Sequence, residues 1–160
     1  MKILLATDGS EHSEAAVDEI VRRPFPANSE VLVISIFEPP ILTTGPYDGG
    51  VDMRVYQGFE DAAHERARLA VEMAVDKLRV CHEDRHLRIS TEIIRGSPKE
   101  VILDEAEKFG ADLIVVGSHG YGFFKRFLLG SVSHSVALHA KCSVEIVRTK
   151  PESPAGEDKQ

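Results

Sequence analysis

Short apolar runs alternate with amphipathic segments along the chain, and this alternation restricts the possible fold more than any other feature. Runs at 3–6, 31–37 and 112–117 are almost continuously apolar, as in strands buried on both faces. Weaker runs at 87–93 and 144–147 make five strands, and helical periodicity separates each from the next. The pattern predicts an α/β fold: one doubly wound five-stranded parallel sheet with helices on both faces.

The helices carry local start and stop signals. Ser97-Pro98-Lys99-Glu100 predicts a capping box with proline at the first helical position, and Gly110 is placed to end that helix. A long helix is predicted over residues 59–80. Residues 38–57 contain three prolines and three glycines without usable periodicity, so we expect a long loop there.

Size and charge exclude several classes of protein. The 160 residues suffice for one compact domain, which we place at 1–150, with a disordered tail at 151–160. The net charge of −7 argues against a general nucleic-acid binder or an anionic-membrane binder. Two cysteines cannot form a disulfide framework, and no apolar run approaches the ~20 residues of a membrane span. We therefore expect a soluble cytoplasmic domain.

Strand order cannot be read from spacing alone, but one order has a clear consequence. In the order 3-2-1-4-5 the winding reverses between strands 1 and 4, and a ligand binds outside their carboxyl ends. Those ends are Thr7-Asp8-Gly9 and Val116-Gly117-Ser118, the most turn-rich strand exits in the chain.

A glycine-containing loop follows the fourth strand. Gly117-Ser118-His119-Gly120 leaves the strand, and after nine intervening residues Gly130-Ser131-Val132-Ser133 opens a helix. Glycines allow close approach of a ligand, and free N–H groups at a helix start bind anions. A turn followed by an ordinary cap explains the same spacing equally well. Residues 117–150 hold five Lys or Arg against one Glu, a net +4 that leaves −11 elsewhere, which favours an anion site.

Two segments together resemble a known family. Ala6-Thr7-Asp8-Gly9-Ser10 and Gly117-x2-Gly120-x9-Gly130-Ser131 resemble the universal stress protein family and, more narrowly, its ATP-binding branch. The resemblance covers about residues 1–150. It implies a nucleotide-responsive regulatory protein of the stress response that binds ATP, often with magnesium or manganese (Mg or Mn), and forms homodimers through the last strand, here Val144 to Val147.

The resemblance also implies a set of binding residues. Asp8 would lie near the adenosine, the backbone of Ile36 near adenine, and His119 along the triphosphate. Ala6 replaces a proline that is common in the family, and no residue is assigned as a metal ligand or a catalytic group. The full implied set is Ala6, Thr7, Asp8, Ile36, Val116, Gly117, His119, Gly120, Gly130, Ser131, Val132 and Ser133.

Other functions remain open at this point. Slow ATP hydrolysis or autophosphorylation on Ser131 or Ser133 is one, and a nucleotide-independent dimeric scaffold is another.

A receiver domain is disfavoured because the third strand ends Ile94-Arg95-Gly96 without a phospho-acceptor Asp. A flavin carrier is a further alternative, and a colourless purified protein would count against it. A triad of Ser118, His119 and Asp8 is disfavoured because the Gly-x-Ser-x-Gly elbow is absent, and Cys81-His82 with His86 favours a solvated helix end over a metal site.

Overall fold

The computed structural model describes residues 1–39, 53–81, 87–120 and 129–149. These form the five strands Lys2–Ala6 (β1), Glu30–Phe37 (β2), Arg88–Arg95 (β3), Leu113–Gly117 (β4) and Ser143–Val147 (β5). The helices are Glu11–Arg22 (α1), Met53–Cys81 (α2), Pro98–Phe109 (α3) and Ser131–His139 (α4). The predicted tail at 151–160 and the histidines of the proposed Cys81 cluster lie outside the described residues.

The strands form one parallel sheet in the order β3-β2-β1-β4-β5, which confirms the predicted architecture. Side chains of β1 alternate between two cores because successive residues of a strand point to opposite faces. Ile3 and Leu5 pack with α1 and α2, whereas Leu4 and Ala6 pack with α3 and α4. None of the described helices is long and apolar enough to cross a bilayer.

The register brings the ends of the central strands together. Ala6 of β1 pairs with Ile34 of β2 on one side and Val116 of β4 on the other. Strand β2 continues beyond this point, so Ile36 overhangs the end of β1. The chain winds from β1 through β2 to β3, then returns beside β1 as β4, which places the winding reversal between β1 and β4.

Two local predictions are wrong. Ser97 is the N-cap of α3 and Pro98 is its first residue, but the Ser97 side chain makes no capping bond, so the capping box is not formed. Gly110 does end α3 with a left-handed backbone, at φ 69°.

Residues 53–57 of the predicted loop are the first turn and a half of α2. Tyr56 and Glu60 of this helix contact Arg95 of β3. Residues 40–52 of that loop are not described.

Candidate functional site

A cavity of about 360 Å³ opens at the carboxyl ends of β1 and β4. Its volume falls within the range of small-molecule sites. All twelve residues implied by the resemblance line it, drawn from the ends of β1, β2 and β4 and from the start of α4. Four further residues line it that sequence reasoning did not assign to the site: Ser13, Glu38, Pro98 and Ile102.

The turn between β1 and α1 is held by side-chain hydrogen bonds. The Asp8 Oδ1 atom accepts from the Ser10 N–H at 3.0 Å, and Ser10 is the N-cap of α1. The Gly9 N–H donates to Thr7 Oγ1, whose hydroxyl donates to Ser13 Oγ, which in turn donates to the carbonyl of Ser10. Asp8 is thus not the helix cap that its residue type also allows, and its carboxylate is positioned at the cavity instead.

The glycines of the loop after β4 differ in what they accommodate. A Cβ at Gly117 would lie 2.6 Å from the backbone carbonyl carbon and oxygen of His12 in α1. A Cβ at Gly120 would lie 2.6 Å from Asp8 Oδ2, a side-chain atom that can move. Gly117 therefore allows β4 to pack against α1, whereas Gly120 allows the Asp8 carboxylate to approach the loop across the reversal point.

The start of α4 is tied back to the loop. The Gly130 N–H donates to the carbonyl of Ser118 at 2.8 Å, and Ser133 Oγ lies 2.9 Å from that oxygen and 3.0 Å from the carbonyl of Gly130. The single Ser133 hydroxyl proton is therefore directed to these two carbonyl oxygens. Ser131 is exposed, and the first-turn N–H groups of α4 have no partner within the helix.

His119 carries an unpartnered buried atom. Its ring packs edge-on against His12, with ring centroids 5.1 Å apart, and its Nδ1 lies 3.1 Å from Ser118 Oγ. Its Nε2 is buried and has no hydrogen-bond partner among the residues that the structure describes. Since an unpaired buried polar atom is costly, this nitrogen is suited to a ligand or water in the cavity that His119 lines.

The contact between His119 and Ser118 was not expected from their adjacent positions. It nevertheless does not make a nucleophile, because Ser118 is 2% exposed and is not among the residues that line the cavity. A catalytic serine must reach its substrate, so this pair is a structural contact within the loop.

Among the residues that the structure describes, the basic side chains of segment 117–150 do not line the cavity. The charged side chains among the described lining residues are Asp8 and Glu38, both acidic. Lys141 forms an ion pair with Glu107 of α3 at 2.9 Å, and Arg148 does not line the cavity. Lys125, Arg126 and Lys150 lie outside the described residues. Within the described ranges, no three His, Cys, Asp or Glu side chains are grouped as a metal site.

Three of the four lining residues that were missed belong to helices beside the site. Ser13 sits in the first turn of α1, three residues after its cap, where its hydroxyl contacts Thr7. Pro98 and Ile102 begin α3, which packs over β1 and β2 on the same sheet face as α4. Glu38 directly follows β2, and its place at a strand exit was the one available sequence signal.

Comparison with known proteins identifies the family. The model of the universal stress protein family matches residues 1–148. This chain belongs to that family. A curated relative, universal stress protein YxiE of Bacillus subtilis, is 31% identical over 147 residues, 92% of this chain and 98% of the relative.

Solved structures agree with the assignment. Universal stress protein UspA from Lactobacillus plantarum is 25% identical and superposes with a TM-score of 0.73, covering 92% of this chain and 97% of that one. A family member from Arabidopsis thaliana, solved with AMP bound, is 20% identical with a TM-score of 0.66 and coverages of 95% and 94%. Another, solved in complex with cAMP, is 23% identical with a TM-score of 0.64 and coverages of 94% and 98%.

Proposed function

We propose that this universal stress protein binds ATP in the 360 Å³ cavity and acts as a nucleotide-responsive regulatory protein in the cytoplasm. The observation that carries the proposal is the convergence of all twelve implied residues on one cavity at the winding reversal. Ligands of doubly wound sheets bind at such reversal points. Two proteins of the same fold hold AMP and cAMP, which supports an adenine nucleotide as the ligand class.

The cavity has distinct ends that suit the parts of a nucleotide. Ala6, Ile36 and Ile102 provide an apolar wall near the overhanging end of β2, where adenine would pack. The opposite side contains the loop after β4 and the first turn of α4, whose N–H groups favour phosphate. Asp8 lies between the strand ends, where its carboxylate can accept a hydrogen bond from a ribose hydroxyl.

Phosphate charge in this cavity requires compensation. Both charged side chains among the described lining residues are acidic, so the positive end of α4 and the buried Nε2 atom of His119 are the favourable groups there. We propose that Mg or Mn accompanies the triphosphate, where it would supply the positive charge that the acidic Asp8 and Glu38 do not. Chelation of the cation is then expected to weaken ATP binding.

Phosphoryl transfer to the protein is a second candidate, and the structure favours one acceptor. Ser133 Oγ is buried and bonded to two carbonyl oxygens. Ser131 lines the cavity with an exposed side chain, so it is the serine from this helix that a γ-phosphate can reach. Labelled ATP that marks wild-type protein but not Ser131→Ala would establish this activity.

The homodimer is proposed at β5. This strand is at the end of the sheet, and its residues Val144 and Val147 are only partly buried in the single chain. A second β5 would cover the edge that the sheet otherwise leaves open. Protection of the 144–147 amides from hydrogen exchange that rises with protein concentration would support this interface, and protection independent of concentration would contradict it.

Calorimetry with ATP and magnesium tests the nucleotide site. Gly120→Val places a branched side chain against the Asp8 carboxylate and into the cavity, so we expect affinity to fall by at least tenfold, about 1.4 kcal/mol. Gly58→Val is the matched control, because Gly58 lies on α2 with nothing within 4 Å of its added Cβ. Equal affinity for both variants, or no heat of binding with the wild-type chain, would contradict the proposal.

A further inference from the structure

One side of α2 carries an exposed apolar stripe at heptad spacing. The buried side of this 29-residue helix begins at Ala67 and includes Ala74 and Leu78. On the solvent side, exposed residues recur at intervals of four and three. They are Val55, Phe59, Ala62, Arg66, Leu69, Met73, Asp76 and Val80.

The apolar members of this stripe are large and open to solvent. Leu69 is 45%, Met73 57% and Val80 76% exposed. The intervals of four and three residues are those of a coiled-coil seam, where a second helix covers the apolar positions. Met73 also lines a small groove beside Glu14 and Val17 of α1, so this part of the stripe lies next to α1. A partner helix would lie over that groove.

The two charged members of the stripe identify the partner. Arg66 and Asp76 form no ion pair with another described residue. If a second α2 lies antiparallel, with the two-fold axis at residue 71, each Arg66 faces an Asp76. The same register places Leu69 opposite Met73 and Ala62 opposite Val80. One alignment thus pairs both charges with their complements and every apolar residue between them with another apolar residue.

We propose that α2 pairs antiparallel with α2 of a second copy of this chain through residues 62–80, with Arg66 facing Asp76 of the partner subunit. This interface is separate from the nucleotide cavity and from β5. Glu72 lies beside the stripe near the two-fold axis and would approach its own copy. Arg68 of the same chain forms an ion pair with it, which reduces the repulsion.

The size of the contact between the two α2 helices sets the expected strength of their association. Its nineteen residues span roughly 28 Å at 1.5 Å per residue, and its width is about one helix, ~10 Å. Such a strip is smaller than the ~800 Å² per partner of a standard stable interface. The association is therefore expected to be weak and to require micromolar or higher protein concentrations.

A charge swap tests the pairing by sedimentation equilibrium of the full chain. Arg66→Asp and Asp76→Arg each place like charges face to face twice, so each is expected to raise the dissociation constant about tenfold or more. The double variant restores opposite charges and is expected to return to the wild-type value. Asp61→Arg, at an exposed position of α2 outside the stripe, is the matched control.

Cysteine cross-linking tests the orientation. In a Cys81→Ser, Cys142→Ser background, a mixture of Ala62→Cys and Val80→Cys chains is expected to form the 62–80 disulfide on oxidation. Neither chain is expected to cross-link alone, because identical positions lie about 27 Å apart along an antiparallel pair, eighteen residues at 1.5 Å each.

Defined results overturn the proposal. It is wrong if the single charge reversals leave association unchanged, if the double variant does not recover, or if the wild-type chain shows no association that these residues affect. It is also wrong if Ala62→Cys chains cross-link to each other, which would indicate a parallel pair. The positions altered along the stripe, 62, 66, 76 and 80, are all exposed, so unchanged circular dichroism is expected to accompany each result.

Discussion

Gly117→Ala separates a packing role for this glycine from a ligand-binding role. Its added Cβ would meet the carbonyl carbon and oxygen of His12 at 2.6 Å and the N–H nitrogen of Ser13 at 2.8 Å. All three are backbone atoms at the start of α1, so relief requires that α1 or the end of β4 move. Overpacking of this kind costs about 1–3 kcal/mol. For a chain of this size that corresponds to a fall of roughly 2–12 °C in Tm.

Thermal unfolding of the nucleotide-free protein measures this effect directly. Gly120→Ala is the control, because its Cβ meets only the mobile Asp8 carboxylate, and we expect its Tm to stay within about 2 °C of wild type, or ~0.5 kcal/mol. A Gly117→Ala chain as stable as wild type would refute the reasoning, since β4 and α1 would then not be in close contact. Equal destabilisation by both variants would refute the distinction between the two glycines.

The remaining predictions concern hydroxyl and thiol groups. Ser133→Ala removes the bonds from Oγ to Ser118 and Gly130 and should lower the free energy of unfolding by about 1 kcal/mol in urea titrations, whereas exposed Ser131→Ala should leave it unchanged. Burial raises the pKa of Cys142, so less of its thiol ionises in the folded chain. In a Cys81→Ser background, iodoacetamide should therefore alkylate folded protein at mildly alkaline pH more slowly than urea-unfolded protein, and equal rates would contradict this. Because the pKa of Cys142 is raised in the folded chain, the free energy of unfolding should fall as the pH rises through that pKa.

The strands were predictable because burial on both faces leaves a signal within each strand. Residues 31–37 are apolar almost throughout since β2 lies between two neighbours and two helical layers. The first turns of α2 gave no such signal. Met53 and Phe59 are exposed there, and contacts of Tyr56 and Glu60 with Arg95 of β3 accompany this part of the helix. Contacts between segments distant in sequence are invisible to periodicity.

The residues of the candidate site could be predicted where they lie at strand ends. They could not be predicted where their position depends on packing between distant segments. Gly120 and Gly130, which the resemblance implied as binding residues, both line the cavity, and Gly130 is hydrogen-bonded to Ser118 directly after β4. Ile102 was not predicted at the site, since nothing local shows that α3 reaches the cavity. Lys141 counted toward a basic region in sequence, but the fold pairs it with Glu107. Net charge along a segment does not give the direction of its side chains.

The proposed interfaces at β5 and at α2 together predict an assembly larger than a dimer, which neither interface predicts alone. Strand β5 ends the sheet opposite β3, whereas α2 packs on β2 and β3, so one contact does not cover the other. Each is isologous, and two different two-fold interfaces on a single chain generate a closed tetramer or an open chain rather than a dimer. The wild-type protein should therefore exceed the dimer mass as its concentration rises. Asp76→Arg should need about tenfold higher protein concentrations to exceed the dimer proposed at β5, and a wild-type chain that never exceeds a dimer would exclude simultaneous use of both surfaces.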